Sequence, residues 1–348
     1  MKTGLVWATL IVGCNAGTTQ VRPTPTAETP RSPVKLASRA VPLPGATGPV
    51  SLDYLAIDRA AGRLWVPAGD TGSVDVLDTA SGALSRVEGF KVVEREMKGR
   101  TRKLGPSSAT VGDGVVYVGN RATSEVCAID AKSLKLGSCF ALTSAPDGLQ
   151  YVAATHELWA TTPHEHSLTI LDAALKPSAK ITVEGDPEGY AVDEGRGVFY
   201  TNLEDGDRTL VIDVRKKQVV ATWKPGCGEA GPRGIAIDPK RGLVFVACTD
   251  HVVVLDAAHD GAILAKADTG AGVDNIDYVE SRQELFVAAG KAAQLTIFRV
   301  GEKGALQTIA TGPTAEGARS VVADAAGRAY VIDPTGGRIL VLDRAAGQ

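Results

Sequence analysis

A short phrase recurs along the chain: two apolar residues followed by aspartate. It occurs as Val76-Leu77-Asp78, Ala128-Ile129-Asp130, Ile170-Leu171-Asp172, Val211-Ile212-Asp213, Val254-Leu255-Asp256 and Val341-Leu342-Asp343. Successive aspartates are 52, 42, 41, 43 and 87 residues apart, and Ile297-Phe298-Arg299 falls 43 after Asp256 and 44 before Asp343. A period of about 40–45 residues marks a chain that repeats one supersecondary unit. No such unit buries its apolar surface alone, so the chain has to fold as an array of neighbours.

Residues 235–266 show the grammar of one unit. Ile235-Ala236-Ile237-Asp238 alternates as a short strand, and Pro239-Lys240-Arg241-Gly242 has turn chemistry. Leu243–Ala247, His251–Leu255 and Ala262–Lys266 supply three more β-rich segments. Second strands recur as Leu64-Trp65-Val66, Val116-Tyr117-Val118, Leu158-Trp159-Ala160, Val198-Phe199-Tyr200, Leu285-Phe286-Val287 and Ala329-Tyr330-Val331. No stretch keeps a helical period between helix caps. Seven such units predict an all-β fold: a seven-bladed β-propeller of four-stranded antiparallel blades. The last unit ends soon after Asp343 without a fourth strand. The segment Val34–Val41, which precedes the first full repeat, is expected to complete that last blade and remove its open edge. The recurring aspartate has a local role available to it, since at the head of a turn its carboxylate can accept backbone N–H groups.

With Pro-x-Gly, a Leu-Tyr-Val-like strand and a Val-Ile-Asp-like strand in its units, the chain resembles the YVTN/YncE-like group of seven-bladed propellers over residues 35–348. Arg299 departs from the pattern in the sixth unit. The resemblance implies the fold and says little about activity, because propellers host many functions.

Ahead of the repeats, Lys2 precedes the apolar run Leu5–Val12, then Gly13-Cys14. The run is too short to span a bilayer and suits a signal-peptide core, so residues 1–13 are expected to be a lipoprotein signal peptide. Ile11-Val12-Gly13-Cys14 resembles a bacterial lipobox, which implies cleavage before Cys14 and lipidation of its thiol. An ordinary secretory signal beside an incidental cysteine is the alternative. Asn15, where aspartate would signal retention at the inner membrane, implies passage to the outer membrane. Residues 14–34, rich in threonine and proline, are expected to be an extended tether. The expectation is a bacterial envelope protein, held to the membrane by its lipid anchor alone and facing periplasm or surface. A formal net charge of −3 gives no electrostatic case for nucleic acid as a partner.

Four cysteines remain after Cys14, and an exported chain meets an oxidising compartment. Cys127 and Cys139 flank one turn on neighbouring strands, and Cys227 and Cys248 fall on one face of the fifth unit. Disulfides 127–139 and 227–248 are expected, with buried free thiols as the alternative. There is no Cys-x-x-Cys for redox work or haem attachment.

In a propeller the loops leading into strand one and those joining strands two and three share a face, onto which the central channel opens. Aligning the units on Pro-x-Gly places Asp53, Ser107, Asp147, Glu188, Arg233, Asp274 and Arg319 around that mouth. Converging charges in a concave site are costly unless paired or liganded. One reading is an ion-pair network plugging the channel. The other is a ligand site, with Asp53, Asp147, Glu188, Arg233, Asp274 and Arg319 recognising a small polar ligand or an envelope protein. Nearby loops add Thr161–Ser167, with His164 and His166, Thr201–Arg208, and Asp250-His251. Glu188, Asp274, Asn275, His164 and His166 are therefore candidates for a divalent cation, calcium or zinc, though no spacing matches a known motif. His156 and His259 are expected at the surface.

The longest step between repeats marks an insertion carrying Lys91, Arg95, Lys98, Arg100, Arg102 and Lys103, interrupted by Glu94 and Glu96. It is expected to be a flexible cationic loop, either simply solvated or touching anionic headgroups or an acidic partner. It lacks the aromatic interleaving of a nucleic-acid site. No Gly-x-Ser-x-Gly or phosphate loop is present, and no catalytic residue is assigned. The leading expectation is a non-catalytic binding module. The alternatives are a metal-dependent lactonase or hydrolase with a cation on Asp53, Glu188, Asp274 or Asn275, and a scaffold subunit using outer strands or bottom loops.

Overall fold

Each second strand is apolar on both faces because two cores claim it. Leu64 and Val66 pack toward the last repeat, while Trp65 between them packs toward the second. Phe199 and Tyr200 divide in the same way. A strand sandwiched between neighbours has no wet face, so its sequence runs Leu-Trp-Val without polar alternation.

The computed structural model describes residues 1, 2, 4, 5, 7–9, 32–97 and 99–344. The chain divides into units Met1–Ser32 and Pro33–Gln348, and the repeats belong to the second. Cys14 and most of the tether lie outside the described residues. Among the described residues no helix is long and apolar enough to cross a membrane.

Blades one to six span residues 56–88, 106–141, 149–182, 187–223, 235–268 and 273–313, each a four-stranded antiparallel meander. Blade seven takes its three inner strands from 321–344 and its outer strand from Val34–Pro42. That strand runs antiparallel to the last one, with Leu36 opposite Arg344 and Pro42 opposite Arg338. Its first residues also pair in parallel with blade six, Val34 beside Ala310 and Lys35 beside Thr311. The first strands touch from blade to blade around the ring, seventh against first included. Seven apolar clusters fill the seven interfaces between neighbouring blades.

Five of the six repeated aspartates are turn residues, while Asp343 lies within the last strand. Asp78 Oδ1 accepts the N–H groups of Ala80 at 3.2 Å and Ser81 at 2.7 Å, and Asp130 does the same for Lys132 at 3.2 Å and Ser133 at 2.6 Å. Asp213 caps Arg215 at 3.0 Å and Lys216 at 2.7 Å. The N–H groups of Ser81, Ser133 and Lys216 hold these three carboxyls below the usual range. Arg299 replaces the aspartate in blade six with a different solution. It sits opposite Glu284, whose fully buried carboxylate also meets Arg282 at 2.9 Å and Arg344 at 2.9 Å. The departure is thereby absorbed into a clasp between blades six and seven.

The Asp75 side chain is fully buried in blade one. Burial pushes its carboxyl up to about 6, against the pull of Arg86 at 3.6 Å. The folded state thus holds this proton more tightly than the unfolded chain. The resulting stability is fully present in acid and is lost as pH rises from 3.8 through about 6. Asp75→Asn should remove a pH-dependent contribution of about 3 kcal/mol. In urea melts at pH 4 and pH 7.5, the gap between wild type and variant should change by that order; a constant gap would refute the assignment.

The insertion between blades one and two is a β-hairpin, Val93–Met97 paired with Arg100–Leu104, and not the flexible loop expected from its charge. The charges conceal a period-two pattern. Gly99, at φ 73°, supplies the turn.

Candidate functional site

The mouth residues are placed by the tight inner ring of strands. Gly148 follows Asp147, and a Cβ there would lie 1.9 Å from the Tyr190 ring of the next blade. Gly234 follows Arg233, and a Cβ there would lie 2.6 Å from the Asp274 carbonyl oxygen. In blades three, four and five the glycine of Pro-x-Gly thus lets the first strand press against its neighbour, which places the residue before it at the channel mouth.

All seven aligned positions gather there, organised by a residue the sequence reading passed over. Arg121 Nη2 lies 2.7 Å from Asp53 Oδ2 and also pairs with Asp147 Oδ1. Burial acts against its charge, but Asp147 and Asp53 outweigh it and raise the guanidinium pKa. Arg319 Nε sits 3.0 Å from Asp274 Oδ2, and its Nη2 lies 3.9 Å from Asp53 Oδ1. Arg233 pairs with Glu204 of the blade-four loop. Ser107 is buried, its carbonyl accepting the Tyr54 N–H at 3.1 Å while its hydroxyl has no partner.

Beneath the ion pairs the channel is closed by aromatic rings. Tyr54 and Tyr190, from blades on opposite sides of the ring, stack with centroids 5.3 Å apart. Tyr54 donates to Glu188 Oε1 at 3.0 Å, and Tyr190 Oη accepts the Leu149 N–H at 3.0 Å. Burial, reinforced by Asp147, Asp274 and Asp53, raises the Glu188 carboxyl well above the ordinary range. Burial also raises Asp147 despite Arg121, and lifts Asp274 to about 6 despite Arg319. Below the tyrosines lies a cavity of about 350 Å³ that Asn275 lines, its amide donating to Ser320 Oγ at 3.2 Å. Arg59 and Asp277 pair at its far end.

Above the ion pairs is a larger cavity of about 560 Å³. Its floor includes Asp53, Arg121, Asp147 and Arg319, His164 stands at its side, and Arg95 and Arg102 of the hairpin line it from above. The hairpin, read from sequence as a separate feature, is therefore part of the mouth.

The metal candidates are spread over different partners. His166 Nδ1 lies 2.9 Å from Asp186 Oδ1, Glu188 is bound to Tyr54, and Asp274 faces Arg319. Among the described residues the one group of three acid, histidine or cysteine side chains with ligand atoms close together is Glu125, Cys127 and Cys139, and those cysteines form a disulfide. The second disulfide joins Cys227 to Cys248, so both expected pairs are present. His251 pairs with Asp250 at 2.6 Å. His156 and His259 are exposed, pairing with Asp113 at 2.7 Å and Asp256 at 2.8 Å.

Arg121, Tyr54 and Tyr190 were the functional-site residues missed. Arg121 opens the loop between strands two and three of blade two, a position that shares the mouth face. Tyr54 follows Asp53, and Tyr190 comes two residues after Glu188.

No protein-family model matches the sequence, and no curated protein matches it either. Solved structures do. A chain of the mitotic checkpoint complex aligns with TM-score 0.71 and 14% identity over 96% of this chain and 98% of its own. Kuenenia stuttgartiensis hydrazine synthase aligns with TM-score 0.70 and 13% identity over 88% of this chain and 99% of that one. Streptogramin B lyase gives TM-score 0.68 and 13% identity over 88% and 97%. At such identities the likeness concerns the fold alone, and that fold is the β-propeller.

Proposed function

We propose that this is an exported, lipid-anchored propeller of the YncE-like kind that binds a small polar ligand through its top face without catalysing a reaction. The observation that carries this reading is the cavity over the mouth, floored by ion pairs on buried aspartates and lined by the charged hairpin. Its size is that of a small-molecule site. Paired arginines and aspartates keep the floor rigid, which lowers the entropy cost of binding. The lipobox-like Cys14 and the two disulfides support export to the envelope.

The donor set speaks against the hydrolase alternative. Guanidinium groups already face Asp53, Asp147 and Asp274, and Glu188 already accepts the Tyr54 hydroxyl. A cation there would have to displace arginine.

Native mass spectrometry of protein purified from the envelope fraction tests the binding reading. A bound small molecule is expected on the wild type and absent from an Asp53→Asn/Arg233→Gln/Arg319→Gln variant that retains its β-rich circular dichroism. Cys14→Ala should shift the protein from the membrane pellet to the soluble fraction. Undiminished ligand on the triple variant would sink the site, and an unshifted Cys14→Ala would sink the anchor.

A further inference from the structure

The hairpin over the mouth sorts its charges by face. Side chains alternate along a strand, so directly opposite residues share a face. Glu94 stands opposite Lys103, and Glu96 opposite Thr101, to which it is hydrogen-bonded. That face carries two carboxylates and one ammonium. Arg95 stands opposite Arg102 on the other face, and both line the cavity. Like charges directly across a ladder repel. Among the described residues neither guanidinium has a carboxylate partner within ion-pair reach, although Glu94 and Glu96 sit one residue away on the same strand. The sequence thus keeps its acids off the cavity face and leaves two cations there side by side.

The cavity as a whole repeats the imbalance. Four guanidinium groups, Arg95, Arg102, Arg121 and Arg319, line it with two carboxylates, Asp53 and Asp147, both joined to Arg121, while Asp274 faces Arg319 from outside the lining. The two cations left without a carboxylate are those of the hairpin, Arg95 and Arg102. Ser107 also lines the cavity, and its buried hydroxyl has no partner. Leu52, Leu104, Pro106 and Ala145 make part of the wall apolar. The space, about 560 Å³, exceeds what a bare inorganic anion fills.

We propose that this cavity takes a small organic dianion, a dicarboxylate with a short carbon skeleton, held between Arg95 and Arg102 above and Arg319 and Ser107 below. The inference rests on the top-face binding reading and narrows it to a ligand class. Arginine suits the task because its planar fork meets a carboxylate with two parallel hydrogen bonds. A carboxylate bridging Arg95 and Arg102 would turn their repulsion into shared attraction. The second carboxylate and the carbon chain would then occupy the Arg319 side and the apolar wall.

Isothermal titration calorimetry on the purified chain tests this with succinate, adipate and suberate. Inorganic phosphate, a neutral disaccharide and a linear diamine serve as comparison probes. At least one dicarboxylate should bind, with an affinity that falls as salt is raised. Arg95→Gln/Arg102→Gln should weaken it at least about tenfold, as the loss of charge-assisted contacts requires. Lys103→Gln removes a charge from the opposite face of the same hairpin and should leave the affinity unchanged. Equal weakening by Lys103→Gln would reduce the effect to general attraction and overturn the site. Phosphate binding without any dicarboxylate would overturn the ligand class. Binding of the disaccharide or diamine alone, lost in the triple mouth variant, would overturn the dianion inference and leave the top-face reading standing. Absence of every probe, together with an unchanged envelope ligand in the triple variant, would remove both.

Discussion

Replacing Arg121 by methionine should destabilise the protein by about 3–5 kcal/mol, the usual cost of leaving buried charge without its partner. Two carboxylates depend on this one guanidinium. Asp53 lies 2.7 Å away and Asp147 pairs with it as well, and both side chains are largely shielded from water. Burial already raises Asp147 with Arg121 present. Without the arginine, Asp147 has to take up a proton or draw water into the mouth. Adding Asp53→Asn and Asp147→Asn to the methionine variant should therefore recover more than half of the loss, because neutral amides no longer need a countercharge. Urea unfolding of the three proteins at pH 7 measures both steps. A loss below about 1 kcal/mol for Arg121→Met is the behaviour of a surface pair and would contradict burial of the two carboxylates.

The second large effect concerns the disulfides. Their cysteines are 12 and 21 residues apart in sequence, and closing loops of that length stabilises a fold by about 3 kcal/mol each. Cys127→Ala/Cys139→Ala and Cys227→Ala/Cys248→Ala should each cost that order in urea unfolding. They should differ in a second readout. Cys127 and Cys139 face each other on the two outer strands of blade two, away from the mouth. Cys227 and Cys248 pin the loop into blade five, where the Arg233 N–H reaches the Ala247 carbonyl at 2.7 Å. Removing that pair should weaken top-face ligand binding as well as stability, while removing the other should weaken stability alone. Equal binding losses from both would show that the bridge at 227–248 does not position Arg233.

Much of the fold could be read from the chain because a propeller writes its strands in a period. The apolar-apolar-aspartate phrase measured the repeat, and the missing fourth strand of the last unit pointed to Val34–Val41. Pro-x-Gly marked the mouth in blades three, four and five because there the inner strand crowds its neighbour, a demand local enough to appear at one sequence position. The partners of those mouth residues were harder to find. Arg121 follows a second strand and carries no repeated signature, so only the folded ring shows it between Asp53 and Asp147. The tyrosine stack joins residues 54 and 190, a pairing no sequence spacing encodes. The hairpin was misread because net basic charge obscured an alternation of two faces. Its place over the mouth depends on where blades one and two meet, which a linear reading does not contain.

The strand Val34–Pro42 has a consequence for how the molecule is made. It binds against Arg338–Arg344, which a ribosome delivers some three hundred residues later. Six blades can form in order of synthesis, but the seventh must wait for the far end of the chain. Until then only the first residues of that strand have a partner, in blade six, and the ring stands open at one seam. A chain stopped early, or cut before Arg338, would keep all its earlier blades and still present an unpaired strand edge to its neighbours, the usual start of edge-to-edge aggregation. The seam therefore works as a completeness check: only a chain translated through to its last strand can lock its own circle.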